Sequence, residues 1–213
     1  MRSFPKIALA TQNRGKLEEF EALFSIHKIH LVSFDRFVRN ASSLAQVEAG
    51  AHGKAYYDHA FAKCHAAFLA AKVPTLADDS GIEIESLQGQ PGMHSAHFGK
   101  PTARESQDQA NRRKVLELLK GKKSRKAIMR CTLVFMVEGV VLHAEGVCEG
   151  QITEKEIGEH GFGYDAIFAP DSAGGKTFAE LSLEEKNRLS HRALAVNELV
   201  RLIQVREVEL VRP

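Results

Sequence analysis

Residues 6–24 read KIALATQNRGKLEEFEALF, and this stretch sets the fold class. Lys6-Ile7-Ala8-Leu9-Ala10 is a short apolar run of strand length, and Thr11-Gln12-Asn13-Arg14-Gly15-Lys16 follows as a polar loop. Leu17, Phe20, Leu23 and Phe24 then recur at helical spacing, with Glu18, Glu19 and Glu21 between them. A strand, a glycine-containing loop and a helix start open an α/β unit. They also make a place for an anion, because free N–H groups and the positive end of the helix face it. Lys16 and Arg14 add charge. The segment is not a P-loop, since the second glycine and the Lys-Ser/Thr pair are missing. Taken alone, it is an ordinary strand-to-helix connection.

The next informative stretch is Ala77-Asp78-Asp79-Ser80-Gly81, where the apolar run Val73-Pro74-Thr75-Leu76-Ala77 gives out. Strand ends in α/β proteins are where ligands bind. Two neighbouring carboxylates repel, so a buried pair needs a cation or a shared proton. Mg²⁺ answers that need with oxygen ligands and keeps water and substrate phosphate. The plainer reading is a solvated turn, since Asp, Ser and Gly are turn residues. Beyond the pentad, Ile82-Glu83-Ile84-Glu85 alternates as a strand, and Leu87 to Gly92 is a turn cluster.

Composition narrows the class. The chain has 213 residues, 44% apolar and 26% charged, which suits a soluble globular protein of one large domain or two small ones. Its 29 Lys plus Arg against 27 Asp plus Glu give a net charge of +2, which argues against a dedicated duplex-DNA binder. Cys64, Cys131 and Cys148 form an odd set without a Cys-x-x-Cys pair, as expected for reduced thiols in the cytoplasm. No signal peptide and no membrane span are expected.

Elsewhere the chain reads as alternating elements. Ile29 to Phe34 is expected as a second strand, and residues 35–53 as irregular. From Lys54 to Ala71, Tyr57, Phe61, Cys64 and Phe68 mark a helix; Lys63, His59 and His65 are read as flank residues. A further helix is expected over roughly 103–120, packing Val115, Leu116, Leu118 and Leu119 and stopping at Gly121. Five bases fall within residues 120–126. No aromatic interleaves them, so a solvated loop is favoured over a nucleic-acid patch. Ala127 to Val137 and Val140 to Cys148 are β-rich and meet at Glu138-Gly139, the pattern of a hairpin. Residues 150–161 read as a loop, and Gly161-Phe162-Gly163-Tyr164-Asp165 precedes the apolar Ala166-Ile167-Phe168. Asp171 to Lys176 is a loop. Ser182-Leu183-Glu184-Glu185 is a capping box for a last helix with Leu189, Val196, Val200 and Ile203 as its seam. Lys186, His191 and Arg192 lie off that seam, where solvated charges are the plainer expectation. Residues 204–213 read as an edge strand or a tail.

Four of these segments together resemble the inosine triphosphate pyrophosphatase family, enzymes that act on non-standard purine nucleoside triphosphates. They are TQNRGK at 11–16, ADDSG with GQPGMHSAHF at 77–98, GFGYDAIF at 161–168 and AELSLEEKNRLSHRAL at 179–194. They occur in the family's order and span nearly the whole chain. GFGYD with the final E-K-N-x-x-S-H-R run is the specific part.

The resemblance implies one pyrophosphatase domain over residues 1–213. It implies an elongated mixed β-sheet with flanking helices, two lobes around a central nucleotide cleft, and a homodimer. By position, Thr11, Asn13, Lys16 and Lys63 correspond to the polyphosphate contacts, with Gln12 in place of the usual Gly. Asp79 corresponds to the catalytic base and metal ligand, with Asp78 and Glu48 as further metal carboxylates and Ser80 as a substrate contact. Phe162, Gly163, Tyr164 and Asp165 match the base-lining segment. Lys186, His191 and Arg192 match contacts to the nucleotide and its base. The Glu48-Ala49-Gly50 segment lies ten residues before Asp58 rather than the usual seven, Asp58-His59-Ala60 stands for Glu-Asn-Ala, Ala166 replaces a Pro, and His97 replaces an Arg.

The implied reaction is hydrolysis of ITP, dITP and XTP to the monophosphate and pyrophosphate. Water activated by one or more Mg²⁺ ions attacks the α-phosphorus. An Arg192 donor suits the 6-keto oxygen of hypoxanthine and xanthine and opposes the amino donor of adenine. Neither a stable nucleic-acid partner nor a membrane is expected. The alternatives are a nucleotide-binding protein without turnover, a nucleic-acid binder using residues 120–126, and a pyrophosphatase for modified pyrimidines.

Overall fold

The computed structural model describes residues 6–38 and 55–210. Glu48 and most of the irregular stretch expected over 35–53 lie outside the described residues. The chain divides into two compact units. One comprises residues 1–79, 131–146 and 192–213, and the other residues 80–130 and 147–191.

In the first unit, β1 (Ile7–Leu9) pairs in parallel with β2 (Leu31–Ser33) and with β3 (Thr75–Ile84). Ala8 lies opposite both Val32 and Thr75. Parallel strands need crossovers, which are supplied by α1 (Arg14–Ile26) after β1 and by α2 (Tyr56–Ala71) before β3. Side chains alternate faces along a strand, and the core follows that rule. Ile7, Leu9 and Leu76 join Phe20, Leu23 and Phe24 of α1 and Val196, Leu199 and Ile203 of α5 (His191–Leu210). Ala8, Ala10 and Ala77 join Ala60, Cys64 and Ala67 of α2. Each large apolar side chain so buried contributes about 1.5–3 kcal/mol.

The second unit takes the far half of β3, where Ile82 and Ile84 are buried, and pairs it antiparallel with β4 (Pro91–Gly92). Its core adds Val115 and Leu119 from the region of α3 (Gln107–Leu118), together with Ile152, Tyr164, Ile167, Phe168 and Phe178. Strands β5 (Lys126–Val137) and β6 (Val140–Ile152) form the expected hairpin, turning at Gly139 with φ +73°. β6 pairs antiparallel with β7 (Phe168–Pro170). Among the described residues the sheet has seven strands in the order β2-β1-β3-β5-β6-β7, with β4 on β3. This is the expected α/β class, an open mixed sheet with flanking helices.

Several expectations need correction. The acidic pentad is neither a turn nor a strand end, because β3 runs unbroken through it from Thr75 to Ile84. β2 stops at Ser33, and Phe34–Arg36 form a 3-10 turn that buries Phe34. β6 continues to Ile152 rather than ending at Cys148. Gly150 permits this, since a Cβ there would stand 2.4 Å from Ala169 O on the paired strand. The apolar Ala166-Ile167-Phe168 divides, with Asp165–Ile167 in a 3-10 turn and β7 beginning at Phe168. α3 starts at Gln107, where Ser106 and Gln109 complete a capping box, and Leu118 is exposed. The last helix is two helices. α4 (Leu183–Leu189) ends where Ser190 turns extended, with ψ 153°, and α5 then runs on through residues expected as strand or tail. The expected seam divides with it. Leu189 packs in the second unit's core, and Val196, Val200 and Ile203 pack in the first unit's.

Candidate functional site

In the first unit, the loop after β1 is held by its own side chains. Thr11 Oγ1 accepts from Asn13 N at 3.2 Å, and Asn13 caps α1 by accepting from Lys16 N at 3.0 Å. Gln12 is exposed, and exposed Arg14 pairs with Glu18 one turn along the helix. Lys16 is the third residue of α1, and its side chain turns inward.

The strand conformation of the pentad divides the two acids. Successive side chains in β3 point to opposite faces. Asp78 shares the face of Leu76, which packs with α1, and Asp79 shares the face of Ala77, which packs with α2. Lys16 Nζ of α1 accordingly lies 2.7 Å from Asp78 Oδ2. From α2, Lys63 Nζ lies 3.7 Å from Asp79 Oδ1, and His59 Nδ1 lies 3.5 Å from Asp79 Oδ2. Lys63 also donates to the Asp78 carbonyl. Lys63 and His59 thus face the acid pair rather than lying on a solvated helix flank.

The two carboxyls are tuned in opposite directions. Burial pushes the Asp78 carboxyl up, but the charges of Lys16, Lys63 and Arg192 and the Lys16 hydrogen bond outweigh it and hold it well below the ordinary range. For Asp79, burial prevails over the pull of Lys63 and Lys16, and the Asp78 charge adds to it, so its carboxyl lies above the ordinary value. Asp79 Oδ2 is buried and has no hydrogen-bond partner among the described residues. Arg192, also of this unit, is buried and donates from Nη1 to Glu19 Oε2 at 2.9 Å.

In the second unit, the 161–165 segment is a tight turn fixed by Asp165. Asp165 Oδ2 accepts from Phe162 N at 2.8 Å and from Lys186 Nζ at 2.6 Å. Gly161 is required there: its φ is +76°, and a Cβ would stand 2.1 Å from Asp165 Oδ2. Lys186 is buried, with its Nζ 5.2 Å from the Phe162 ring centroid and 5.3 Å from that of Phe178. His191 is buried, with its ring 6.5 Å from that of Phe178. Tyr164 is buried in the core and donates its hydroxyl to Ser95 O at 2.7 Å, so Phe162 carries the more accessible aromatic face. Burial, with a smaller contribution from Asp108, holds the Tyr164 hydroxyl above its usual pKa. Ser80 opens this unit, half-buried.

Lys186, His191 and Arg192 are therefore not the solvated charges that their off-seam spacing suggests. In the basic run, Lys120, Lys122 and Lys123 are exposed. Arg125 is structural: it donates to the carbonyls of Ile152, Thr153 and Leu119. The sequence reading missed His59 and Glu19. His59 stands one turn before Lys63 on the same helix face, and Glu19 stands one turn before Leu23 of the apolar stripe. Both spacings were available signals.

The chain matches the Ham1 family over residues 7–202. A dITP/XTP pyrophosphatase of Nitrosomonas europaea is 39% identical over 215 residues, covering 98% of each chain. One from Shouchella clausii is 40% identical, covering 93% of this chain and 96% of the relative. Among solved structures, the Staphylococcus aureus Ham1 protein superposes with a TM-score of 0.79 at 30% identity, covering 95% of this chain and all of that one. The Coxiella burnetii HAM1 protein gives 0.77 at 32% identity, covering 93% of this chain and 98% of that one.

Proposed function

The chain belongs to the Ham1 family, and from that premise we propose that it hydrolyses ITP, dITP and XTP to the monophosphate and pyrophosphate, with attack at the α-phosphorus. The observation that carries the reading is the divided acid pair. One carboxylate is neutralised by Lys16, and its neighbour has a raised pKa beside Lys63 and His59. A carboxylate with a raised pKa is a better proton acceptor than an ordinary one.

In this account Asp79 takes the proton of the attacking water. Lys16 and Lys63 hold the polyphosphate charge, and Thr11 and Asn13 shape the loop that receives it. Ser80 is a further substrate contact. The Phe162 ring stacks on the purine, with Gly163, Tyr164 and Asp165 forming the segment that presents it. Lys186 and His191 contact the nucleotide. Arg192, held on Glu19, meets the 6-keto oxygen; adenine places a donor there, and an unmatched buried donor costs about 1–3 kcal/mol.

A divalent metal belongs to this proposal. Asp79 Oδ2, a buried carboxylate oxygen without a hydrogen-bond donor among the described residues, suits a hard cation such as Mg²⁺. Asp79 would hold it with Glu48, whereas Asp78, expected as a further ligand, points to the opposite face of β3 and would not share that ion. One oxygen of Asp78 is engaged by Lys16, and Glu48 lies outside the described residues. Among the described residues, no three His, Cys, Asp or Glu side chains group as a metal site. When bound, the metal neutralises phosphate charge and lowers the pKa of water.

The proposal takes residues 1–213 as one functional domain, active as a homodimer in the cytoplasm. Three buried free thiols suit a reducing compartment. Among the described residues no helix is long and apolar enough to cross a membrane. The test is a panel of ITP, dITP, XTP, ATP, GTP and a modified pyrimidine triphosphate with Mg²⁺, scored for monophosphate and pyrophosphate. The proposal expects the three non-standard purines to lead in kcat/KM. Release of inorganic phosphate, or preference for a pyrimidine, would contradict it.

A further inference from the structure

Asp108 and Arg112 stand one turn apart on α3, and both hold the same residue of the 162–165 segment. Asp108 Oδ2 accepts from Gly163 N at 2.7 Å, and Arg112 Nη1 donates to Gly163 O at 2.8 Å. Both backbone polar groups of Gly163 therefore end on one helix face. The other arm of Arg112 reaches Glu156 Oε2 at 3.0 Å, which fixes the guanidinium plane. Gly163 itself has φ +59° and open space where a Cβ would stand, so no side-chain packing holds it. Its own N–H and C=O are held by these two partners, within the turn that Asp165 closes.

The same turns of α3 anchor a second stretch. Buried Asn111 donates to the carbonyls of Ser95 and Ala96, each at 3.1 Å, and accepts from Gly99 N at 2.8 Å. Gly99 lies so close to the helix that a Cβ would stand 2.1 Å from Ala110 O. Tyr164, next to Gly163, donates its hydroxyl to the Ser95 carbonyl that Asn111 also holds. One network thus ties residues 95–99 and 163–164 to a single helix.

We infer that Asp108 and Arg112 are positioning residues for nucleotide binding: by clamping Gly163 they set how Phe162 and the Asp165–Lys186 pair are presented. They act through Gly163 and touch no reacting atom, so their loss acts on KM and leaves kcat nearly unchanged. The inference rests on the reading of residues 162–165 as the base-binding segment.

The test compares Asp108→Ala, Asp108→Asn, Arg112→Ala and Phe162→Ala in the full-length protein with XTP and Mg²⁺. Asp108→Ala is expected to raise KM about tenfold, the scale of one lost charged hydrogen bond, with kcat within about threefold. Asp108→Asn keeps an oxygen that accepts from Gly163 N and should restore most of the affinity. Amide exchange of residues 162–165 should be faster in the Ala variant and near wild type in the Asn variant. If Asp108→Ala does not fold, Arg112→Ala carries the same comparison from the other side of Gly163. A raised KM in Phe162→Ala alongside an unchanged KM in the clamp variants overturns the inference and leaves the base reading standing. Unchanged KM in Phe162→Ala overturns the base reading, and the inference with it. A fall in kcat with KM unchanged also overturns it.

Discussion

Lys16 Nζ lies 2.7 Å from Asp78 Oδ2, on a carboxylate whose side chain is 1% exposed. That contact separates the surroundings of the two neighbouring acids. Asp78 is charged, buried and matched by a cation from α1, whereas Asp79 turns to the other face of β3 and meets α2. Strand alternation, rather than any difference in residue type, gives one acid a cation partner and a lowered pKa and leaves the other with a raised one.

The first prediction concerns Asp79, the proposed proton acceptor. Asp79→Asn removes a charge that burial disfavours, so the variant should melt at or above the wild-type temperature. Turnover should fall roughly 10²- to 10⁴-fold, the usual span for a lost general base. Thermal melting and pyrophosphate release measure the two halves separately. Near-normal turnover by the folded variant would remove Asp79 from its role.

The buried pair of Arg192 and Glu19 gives a stability prediction. Both side chains are under 10% exposed, at 7% and 6%. Glu19→Ala removes a hydrogen-bonded, buried counter-charge of Arg192 and should cost about 3–5 kcal/mol by urea unfolding. A double-mutant cycle with Arg192→Ala should return a coupling on the order of 2 kcal/mol. Additive losses would mean that the contact contributes nothing to the fold.

The thiols should be inert. Burial pushes the Cys64 thiol up to about 12 and the Cys148 thiol up to about 11, and Cys131 is buried. At pH 8 the Cys148 thiolate is then about one part in a thousand. A disulfide reagent should label no thiol rapidly in the native protein and all three in guanidinium. Rapid native labelling of any cysteine contradicts the packing described.

A pH prediction follows from Glu105. Hydrogen bonds from Arg113 and from the Thr102 backbone hold its carboxyl at about 2. The unfolded carboxyl titrates near 4.3. As pH falls below about 4, the unfolded state takes up the proton first, so this stabilisation is present above that range and lost toward pH 2. Glu105→Gln should flatten the acid limb of the stability curve over that window, and less so at high salt because the pair is near the surface. An unchanged acid limb at low salt would contradict the assignment.

What the sequence revealed, and what it did not, divides along physical lines. Periodicity located α1, α2 and the β5–β6 hairpin, because their apolar faces are long. It failed at the acidic pentad, where polar residues continue a strand whose partners are far away in sequence. It also failed at Ser190, where one extended residue separates two helices that share a continuous helical pattern. Motif resemblance assigned Lys16, Lys63, Lys186 and Arg192 to the site, but only the fold revealed what each is paired with. His59, Glu19, Asp108 and Arg112 escaped notice because a polar residue on a helix looks solvated until the opposite element is known.

The most direct test of the central claim is the position of the new oxygen. XTP is hydrolysed with Mg²⁺ in ¹⁸O-labelled water, and the products are weighed by mass spectrometry. Attack at the α-phosphorus predicts one ¹⁸O in the nucleoside monophosphate and unlabelled pyrophosphate. Label in pyrophosphate or in inorganic phosphate, with an unlabelled monophosphate, would contradict the account.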